Sequence, residues 1–304
     1  MKNYVLKVTH LEKKYHKFLA LQDVTMTIEQ GAIYGLIGKN GAGKTTVIRI
    51  ISGLQKPTGG DYVLYGCSYK ERGIVASRRR MSAIVETPAV YLNMTAKDNL
   101  ILQDKIFGRP TTNNVESILE LVGLNHTGKK KVKHFSLGMR QRLGIAIALT
   151  TNPDFLILDE PINGLDPQGI IEMRELILKL NKEKGITILI SSHYLDELSK
   201  IVTHYGFLDQ GKIVREVSRD KLNEGLKKRI DVTVNNALSF VQFLEENKMT
   251  YEVIKDNEFT LFGDVNMSSI ILELAKRDCV IQEFHEHKET LETYFMNLIG
   301  GNQK

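Results

Sequence analysis

Two continuous apolar runs near the middle of the chain, at residues 155–158 and 186–190, indicate buried strands. Runs of this kind are typical of parallel strands that are covered on both faces. Between them, Asp166 is placed to cap a helix that has Pro167 at its first position. The order of strand, long helix and strand predicts a βαβ unit, and therefore an α/β fold with a parallel sheet.

The pattern upstream of these runs changes from strands to helices. Strands are predicted over residues 4–8, 20–28 and 32–37, and a helix over residues 44–52. Residues 56–61 contain the proline and the glycines that are typical of a turn. Residues 87–150 follow helical periodicity instead, and Thr95 and Asn114 are placed to cap two helices there. We therefore predict a helical insert in the α/β core.

Downstream of the buried runs the chain returns to strands. Residues 205–208 and 213–217 flank a short polar turn and predict a hairpin. From Ile230 the pattern continues as strand, helix, two strands, helix and strand, followed by a terminal helix. This order is typical of a small α+β domain of ferredoxin-like type. We therefore expect a large domain at residues 1–229 and an accessory domain at residues 230–304.

The composition adds few constraints to this picture. The chain has 304 residues, of which 42% are hydrophobic, enough for one large core and a smaller one. Its formal charge of +5 does not by itself indicate a nucleic-acid partner. Cys67 and Cys279 lack metal-ligand spacing and are expected to be free thiols. His285 and His287 could share one face of a strand, but a metal site there is the weaker hypothesis because no third ligand is evident.

The candidate chemistry begins in a glycine-rich segment from Gly38 to Thr45. Its glycines let successive backbone N–H groups face a phosphate, Lys44 adds a cation, and the Thr45 hydroxyl can bind Mg²⁺. The anion would sit at the N-terminus of the following helix. A merely flexible loop is the alternative, but the fixed spacing of glycines, lysine and threonine makes it the weaker one. The segment therefore predicts a nucleoside triphosphate site with magnesium.

Two acids, Asp159 and Glu160, directly follow the apolar run at residues 155–158. Asp159 is the first acid after the strand and is placed to polarise a magnesium-bound water. A solvated strand end is the alternative for both acids, and the four apolar residues before them make it the weaker one. An enzyme that hydrolyses the triphosphate is therefore expected.

Five further elements occur in order around these motifs. They are Tyr15, Phe135-Ser136-Leu137-Gly138-Met139, Asp159-Glu160-Pro161, Asn163-Gly164-Leu165-Asp166 and Ser191-Ser192-His193. With them, residues 4–217 resemble the ATP-binding subunit of an ABC transporter, whose P-loop core has a mixed sheet and a helical insert. Each element alone has a structural alternative: His193 as a loop histidine, Ser136 as a helix cap, Tyr15 as a surface aromatic. Their order together with the phosphate loop favours the ABC interpretation.

The resemblance implies a role for each motif. Glu160 would activate the water that attacks the γ-phosphate, and His193 would hold water and acid in line. Ser136 and Gly138 would contact the γ-phosphate that a second copy holds, and Tyr15 would stack on adenine. The predicted catalytic residues are Glu160, His193 and Lys44. The predicted nucleotide-binding residues are Tyr15, Gly38, Lys39, Asn40, Gly41, Ala42, Gly43, Lys44, Thr45, Thr46, Ser136, Gly138 and Asp166. The predicted magnesium ligands are Thr45, Glu86 and Asp159.

The resemblance also implies partners and a location. Two copies would pair head to tail on binding ATP and drive a separate integral membrane permease. The chain would be cytoplasmic and peripheral at the inner face of the cell membrane, with no nucleic-acid partner. An alternative is a non-transport ABC ATPase that acts on ribosomes or DNA, but such members carry two ATP-binding halves or long coiled coils. A binding-only P-loop module is the third possibility, and the pair of Glu160 and His193 argues against it.

Glu86 departs from the family pattern, which usually has glutamine at this loop. An acid there resembles the subgroup that exports lantibiotics, bacitracin and related antimicrobial peptides for self-protection or resistance. A carboxylate binds Mg²⁺ more strongly than an amide but repels the γ-phosphate, so Glu86 could tune hydrolysis or coupling. A tolerated loop substitution is the alternative. Leu137 and Met139 also replace the usual glycine and glutamine of the signature sequence.

Overall fold

The computed structural model describes residues 3–108, 114–225, 228–263, 265–288 and 290–300. Contacts between Cα atoms divide the chain into two units, Met1–Arg219 and Asp220–Lys304. The sequence-based boundary at residue 229 lies ten residues farther along. Each unit has its own cluster of buried apolar side chains, so each is described by itself.

The bounds of the elements are as follows. The strands of the first unit are β1 Tyr4–Tyr15, β2 Phe18–Glu29, β3 Ile33–Ile37, β4 Gly59–Leu64, β5 Cys67–Ser68, β6 Met81–Ile84, β7 Phe155–Asp159, β8 Thr187–Ser192, β9 His204–Asp209 and β10 Lys212–Ser218. Its helices are α1 Lys44–Ile51, α2 Ile74–Arg78, α3 Ala96–Ile106, α4 Val115–Leu121, α5 Leu137–Leu149, α6 Pro167–Lys184 and α7 Leu195–Ser199, and α8 Arg219–Gly225 follows at the boundary. The strands of the second unit are β11 Lys228–Val234, β12 Thr250–Lys255, β13 Glu258–Phe262 and β14 Ile281–Lys288, and its helices are α9 Ala237–Glu246, α10 Met267–Ala275 and α11 Leu291–Gly300.

Among the described residues of the first unit, ten strands form one mixed sheet in the order β5-β4-β1-β2-β10-β9-β3-β8-β7-β6. The segment β9-β3-β8-β7-β6 is parallel, whereas β5, β4, β1 and β2 pair antiparallel. Every residue of β3, β7 and β8 is buried. The continuous apolar runs are therefore central parallel strands, as predicted, and the mixed α/β fold is confirmed.

The three central strands bring their carboxyl ends to one edge of the sheet. β3 and β8 are in register from Ile33 to Ile37, where Ile37 pairs with Ser192. On the other side of β8, Asp159 pairs with Ser191. Because parallel neighbours end side by side, the loop after β3, the acids that end β7 and the histidine after β8 emerge together. This arrangement positions the candidate site.

Helices α3, α4 and α5 lie between β6 and β7, within the segment predicted as a helical insert. Thr95 accepts a hydrogen bond from the Asp98 backbone N–H, and the Asp98 carboxylate accepts one from the Thr95 backbone, which forms a capping box. Asn114 precedes α4 as expected, although its side chain makes no capping hydrogen bond. Asp166 caps α6 through the backbone N–H of Gly169, with Pro167 at the first position.

The structure adds β5, α2 and β6, which were not predicted, and differs from the predicted elements at β1 and β4. The prediction ended the first strand at Val8, but β1 continues to Tyr15 because β2 and β4 flank it on both sides. The predicted turn at residues 56–61 contains the start of β4. Gly60 has φ +76°, and a Cβ there would lie 2.1 Å from the backbone oxygen of His10. Gly60 therefore permits the close approach of β4 to β1, in addition to any role in a turn.

In the second unit the described residues follow the order β11-α9-β12-β13-α10-β14-α11, with an antiparallel sheet ordered β12-β13-β11-β14. Phe240 and Phe259 meet edge to face in its core. Assignment to the ferredoxin-like class stays a prediction. Cys67 and Cys279, one in each unit, are free thiols as predicted, and burial raises the pKa of both. In the part of the chain that the structure describes, none of the helices is long and apolar enough to cross a membrane.

Candidate nucleotide site

The phosphate loop is a tightly placed turn between β3 and α1. Gly41 and Gly43 have φ values of +82° and +111°, which favour glycine. A Cβ on Gly38 would lie 2.5 Å from the Leu208 backbone oxygen, and one on Gly43 would lie 2.7 Å from the Leu21 side chain. No side chain among the described residues caps α1. The backbone N–H groups of its first turn are therefore suited to a bound anion.

Lys44 connects this loop to the acid that follows β7. The residue is 5% exposed. Its Nζ donates to the backbone oxygens of Gly38 at 2.7 Å and Lys39 at 3.3 Å. The same Nζ lies 3.1 Å from Glu160 Oε1. A phosphate bound by the loop would therefore compete with Glu160 for the Lys44 ammonium.

Glu160 faces two partners because its backbone lies in the left-handed region, with φ +50°. Its N–H donates to Ser191 Oγ at 2.9 Å, which fixes the loop to β8. Its Oε2 lies 2.9 Å from His193 Nδ1, while Oε1 faces Lys44. The three predicted catalytic residues thus form one connected cluster at the edge of the sheet.

Asp159 is buried beside this cluster, with 3% of its surface exposed. Ser191 Oγ donates to Asp159 Oδ1 at 2.6 Å. The other oxygen, Oδ2, is buried and has no hydrogen-bond partner among the described residues. A buried carboxylate oxygen without a donor is costly, and a cation or its bound water would satisfy it. Asp159 therefore fits a magnesium site.

The described residues contain no group of three His, Cys, Asp or Glu side chains that could hold a metal by themselves. Mg²⁺ in triphosphate sites usually has only one or two protein ligands, since phosphates and waters fill the rest. Thr45, at the second position of α1 and half-buried, and Asp159 match that limited donor set. Glu86, the third predicted ligand, has φ +62°, and its Oε1 lies 2.6 Å from Arg49 Nη2, so its role as a ligand stays a prediction.

The remaining predicted residues lie in other contacts. The Tyr15 hydroxyl donates to Gln55, and Lys13 Nζ lies 5.1 Å from the Tyr15 ring centroid. Tyr15 is 37% exposed, so part of the residue remains accessible. Ser136 caps α5 by accepting a hydrogen bond from the Met139 N–H at 3.2 Å. The Asp166 carboxylate accepts one from the Gly169 N–H at 3.0 Å. The helix-cap alternative is thus observed for Ser136, and a cap also leaves further hydroxyl valences available.

Sequence patterns assigned no role to three residues of the site. Arg49 lies one turn after Thr45 on α1, a spacing that could have marked it as a neighbour of the site. Tyr194 follows His193, and the two ring centroids are 4.0 Å apart with planes inclined by 39°. Ser191 connects Asp159 to Glu160. Its pairing with both acids depends on the register of β7 and β8, which local sequence does not encode.

Comparison with known proteins places this geometry in a family. Residues 21–163 match the family described as "ABC transporter". The bacitracin transport ATP-binding protein BcrA of Bacillus licheniformis is 40% identical over 301 residues, which is 98% of each chain. The chain belongs to the ABC transporter ATP-binding proteins. This ABC ATPase also resembles the lantibiotic transport ATP-binding protein SrtF of Streptococcus pyogenes, with 43% identity over 71% of this chain and 92% of that one.

A solved dimeric structure of a bacterial ABC transporter cassette has the same fold. It superimposes with a TM-score of 0.62 and 25% identity, and covers 70% of this chain and 98% of its own. Membership of the family confirms that the protein is an ATPase whose hydrolysis of ATP is coupled to transport. Its resemblance to bacitracin and lantibiotic transport ATP-binding proteins is confirmed as well, and nothing in these comparisons favours a role on ribosomes or DNA.

Proposed function

We propose that this ABC ATPase powers export of bacitracin- or lantibiotic-type peptides through a separate membrane permease, in resistance or immunity. The substrate class is supported by the names of its full-length and partial relatives. The observation that carries the ATPase assignment is the cluster in which Lys44 and His193 contact the two oxygens of Glu160. It joins the phosphate loop to an acid and a histidine from two neighbouring strands.

Hydrolysis follows from the charges of this cluster. The phosphates of ATP pair with the Lys44 ammonium in place of Glu160. Glu160 Oε1 then becomes available to a water molecule. The Glu160 carboxylate then accepts a proton from that water while the water oxygen attacks the γ-phosphorus. The bond between the γ-phosphorus and the ADP oxygen breaks in the same step. His193, fixed through Nδ1 to Glu160, presents its other ring nitrogen to the γ-phosphate. Thr45 and Asp159 would hold Mg²⁺, which would neutralise part of the phosphate charge.

Two copies of the chain are proposed to close head to tail over ATP. Ser136 begins the 13-residue helix α5, whose N-terminal dipole attracts anions. The adjacent Leu137 is 43% exposed, which leaves this end of the helix accessible. In the dimer, Ser136 and Gly138 of one copy would meet the γ-phosphate that the phosphate loop of the other copy holds. The dimeric cassette of similar fold supports the pairing of two copies.

A groove of about 970 Å³ beside the outermost strand β6 is the proposed contact for the permease. Strand β6 is the last strand at that edge, and α2, α3 and α5 supply the other walls. Leu54 and Val75 in its lining are 65% and 56% exposed, an apolar surface suited to a helix of a partner protein. Docking there would place the ATPase at the inner face of the membrane.

Glu160→Gln tests the mechanism and the substrate class together. In the strain that encodes this chain, deletion should raise sensitivity to bacitracin or a lantibiotic, and wild-type protein should restore resistance. Glu160→Gln should fail to restore it, because loss of the base slows hydrolysis by about 100-fold or more. The purified variant should still bind Mg·ATP and should elute as a dimer with it. Glu246→Gln, which removes an exposed acid paired with Arg277 in the second unit, is the control.

Each result addresses a different part of the proposal. Hydrolysis at the wild-type rate in Glu160→Gln would contradict its role as base. A variant that binds ATP yet stays monomeric would contradict the head-to-tail dimer. Unchanged sensitivity to these peptides after deletion would contradict the substrate class and leave the ATPase assignment intact.

A further inference from the structure

Arg49 and Glu86 approach each other from two elements that border the nucleotide site. Arg49 lies on α1 four residues after Thr45, so the two side chains share one face of the helix. Glu86 lies two residues after the end of β6. Its Oε1 is 2.6 Å from Arg49 Nη2, the length of a charge-assisted hydrogen bond. The acid that departs from the family pattern thus has a defined cationic partner.

The backbone at Glu86 is held in an uncommon conformation. Its φ of +62° is in the left-handed region, which a glutamate occupies only where its surroundings determine it. Val85 and Thr87, on either side, line the groove beside β6. The turn at Glu86 therefore places Val85 and Thr87 at the groove and the Glu86 carboxylate against α1. The contact with Arg49 holds the carboxylate in that orientation.

We propose that Arg49 is a positioning residue that withholds the Glu86 carboxylate from Mg²⁺. This inference depends on the proposed nucleotide site, because Thr45 and Asp159 would hold the ion there. Carboxylate oxygens are preferred ligands of Mg²⁺, and an oxygen engaged by a guanidinium cannot serve the ion equally well. Arg49 and Mg²⁺ therefore compete for one acid. The pair acts as a latch that raises the Mg²⁺ concentration required for productive nucleotide binding.

The size of the effect follows from the exposure of the pair. The side chains of Arg49 and Glu86 are 36% and 59% exposed. Ion pairs with this exposure are weak because water screens them. Breaking the pair should therefore lower the Mg²⁺ requirement by about two- to fivefold. A change of this size is measurable in a titration.

The test is a titration of Mg²⁺ at constant concentration of a fluorescent, non-hydrolysable ATP analogue, with full-length protein. The half-saturating Mg²⁺ concentration of analogue fluorescence is compared among wild type, Arg49→Gln, Glu86→Gln and the double variant. Arg49→Gln should lower that concentration about two- to fivefold. In the Glu86→Gln background the same change should have no effect, since the acid on which Arg49 acts is gone.

Two further variants keep the result interpretable. Arg80→Gln breaks an ion pair of similar exposure, with Asp154 at 2.7 Å, and should not shift the Mg²⁺ titration. Arg49→Lys retains the charge but not the planar fork, so it should shift the titration in the same direction by less. Thermal unfolding of each variant checks that it folds, and Arg49→Lys supplies the comparison if Arg49→Gln does not.

The outcomes separate this inference from the proposed function. No shift in Arg49→Gln, a raised Mg²⁺ requirement, or an equal shift with and without Glu86 would overturn the latch while leaving the site in place. If binding of the ATP analogue to the wild-type protein did not depend on Mg²⁺, both the magnesium site and the latch would be overturned.

Discussion

The left-handed backbone of Glu160 is the single-residue feature that organises the proposed catalytic cluster. At φ +50° the residue turns away from β7, and its N–H is retained by Ser191. This conformation lets one carboxylate contact Lys44 and His193 at 3.1 and 2.9 Å. A left-handed non-glycine residue costs on the order of 1–3 kcal/mol, which the bonds from β8 and the two side-chain contacts offset. The strain is therefore part of how the acid is aimed.

His193 is oriented from two sides, and the second one is testable. Tyr194 covers the imidazole with a centroid separation of 4.0 Å, while Glu160 holds Nδ1. Aromatic contacts of this kind contribute about 0.5–1.5 kcal/mol. Tyr194→Ala should therefore lower the kcat of ATP hydrolysis by about 2- to 12-fold, with little change in KM for ATP.

Tyr194→Phe is the matched control for that prediction. It keeps the ring and removes only the hydroxyl, so its kcat should remain near that of the wild type. An equal loss in Tyr194→Phe and Tyr194→Ala would assign the effect to the hydroxyl. A wild-type kcat in Tyr194→Ala would show that Glu160 alone orients the histidine.

At the scale of elements, the start of α5 serves two purposes that one substitution can separate. Ser136 caps the helix, and it is also proposed to meet the γ-phosphate of the opposite copy. Ser136→Asp should preserve the cap, because aspartate is as good an N-cap as serine and its charge suits the helix dipole. The free energy of unfolding should stay within about 1 kcal/mol of the wild type. A carboxylate facing the γ-phosphate should nevertheless prevent the ATP-bound dimer.

The measurement is gel filtration with Mg·ATP in the Glu160→Gln background, together with urea unfolding. Ser136→Ala serves as the comparison, since it loses the cap, at a cost of about 1 kcal/mol, but introduces no charge. It should weaken the dimer less than Ser136→Asp does. Undiminished dimerisation of Ser136→Asp would remove Ser136 from the nucleotide interface.

Elements with strong local signals were predictable from the sequence, and elements held by their neighbours were not. β7 and β8 followed from continuous apolar runs, and α6 from Asp166 and Pro167. The far half of β1 is polar and lacks such a signal, because partner strands on both sides supply its hydrogen bonds. The same limit applies to the site. Motif order identified Lys44, Glu160 and His193, whereas the contact of Arg49 with Glu86 joins side chains 37 residues apart and depends on tertiary placement.

At the scale of the whole molecule, the order of the strands explains why distant motifs meet. β8 lies between β3 and β7, so the phosphate loop, the acids and the histidine reach one edge although they span residues 38–193. The second unit contributes none of these residues. Its buried cluster, from Ile230 to Cys279, is separate from the cluster of the first unit. Nucleotide should therefore stabilise the first unit directly and the second unit not at all.

Hydrogen exchange with and without ADP tests that expectation in the intact chain. A ligand at 100 times its Kd stabilises the unit that binds it by about 2.7 kcal/mol, so exchange through unfolding of that unit slows about 100-fold. Amides of β7, from Phe155 to Asp159, should show this slowing. Amides of β13, from Glu258 to Phe262, should exchange at the same rate with and without ADP, because their core gains no ligand contact. Equal slowing in β7 and β13 would show instead that the two cores unfold together. In either case Lys44→Ala should abolish the slowing, because the variant no longer binds the nucleotide.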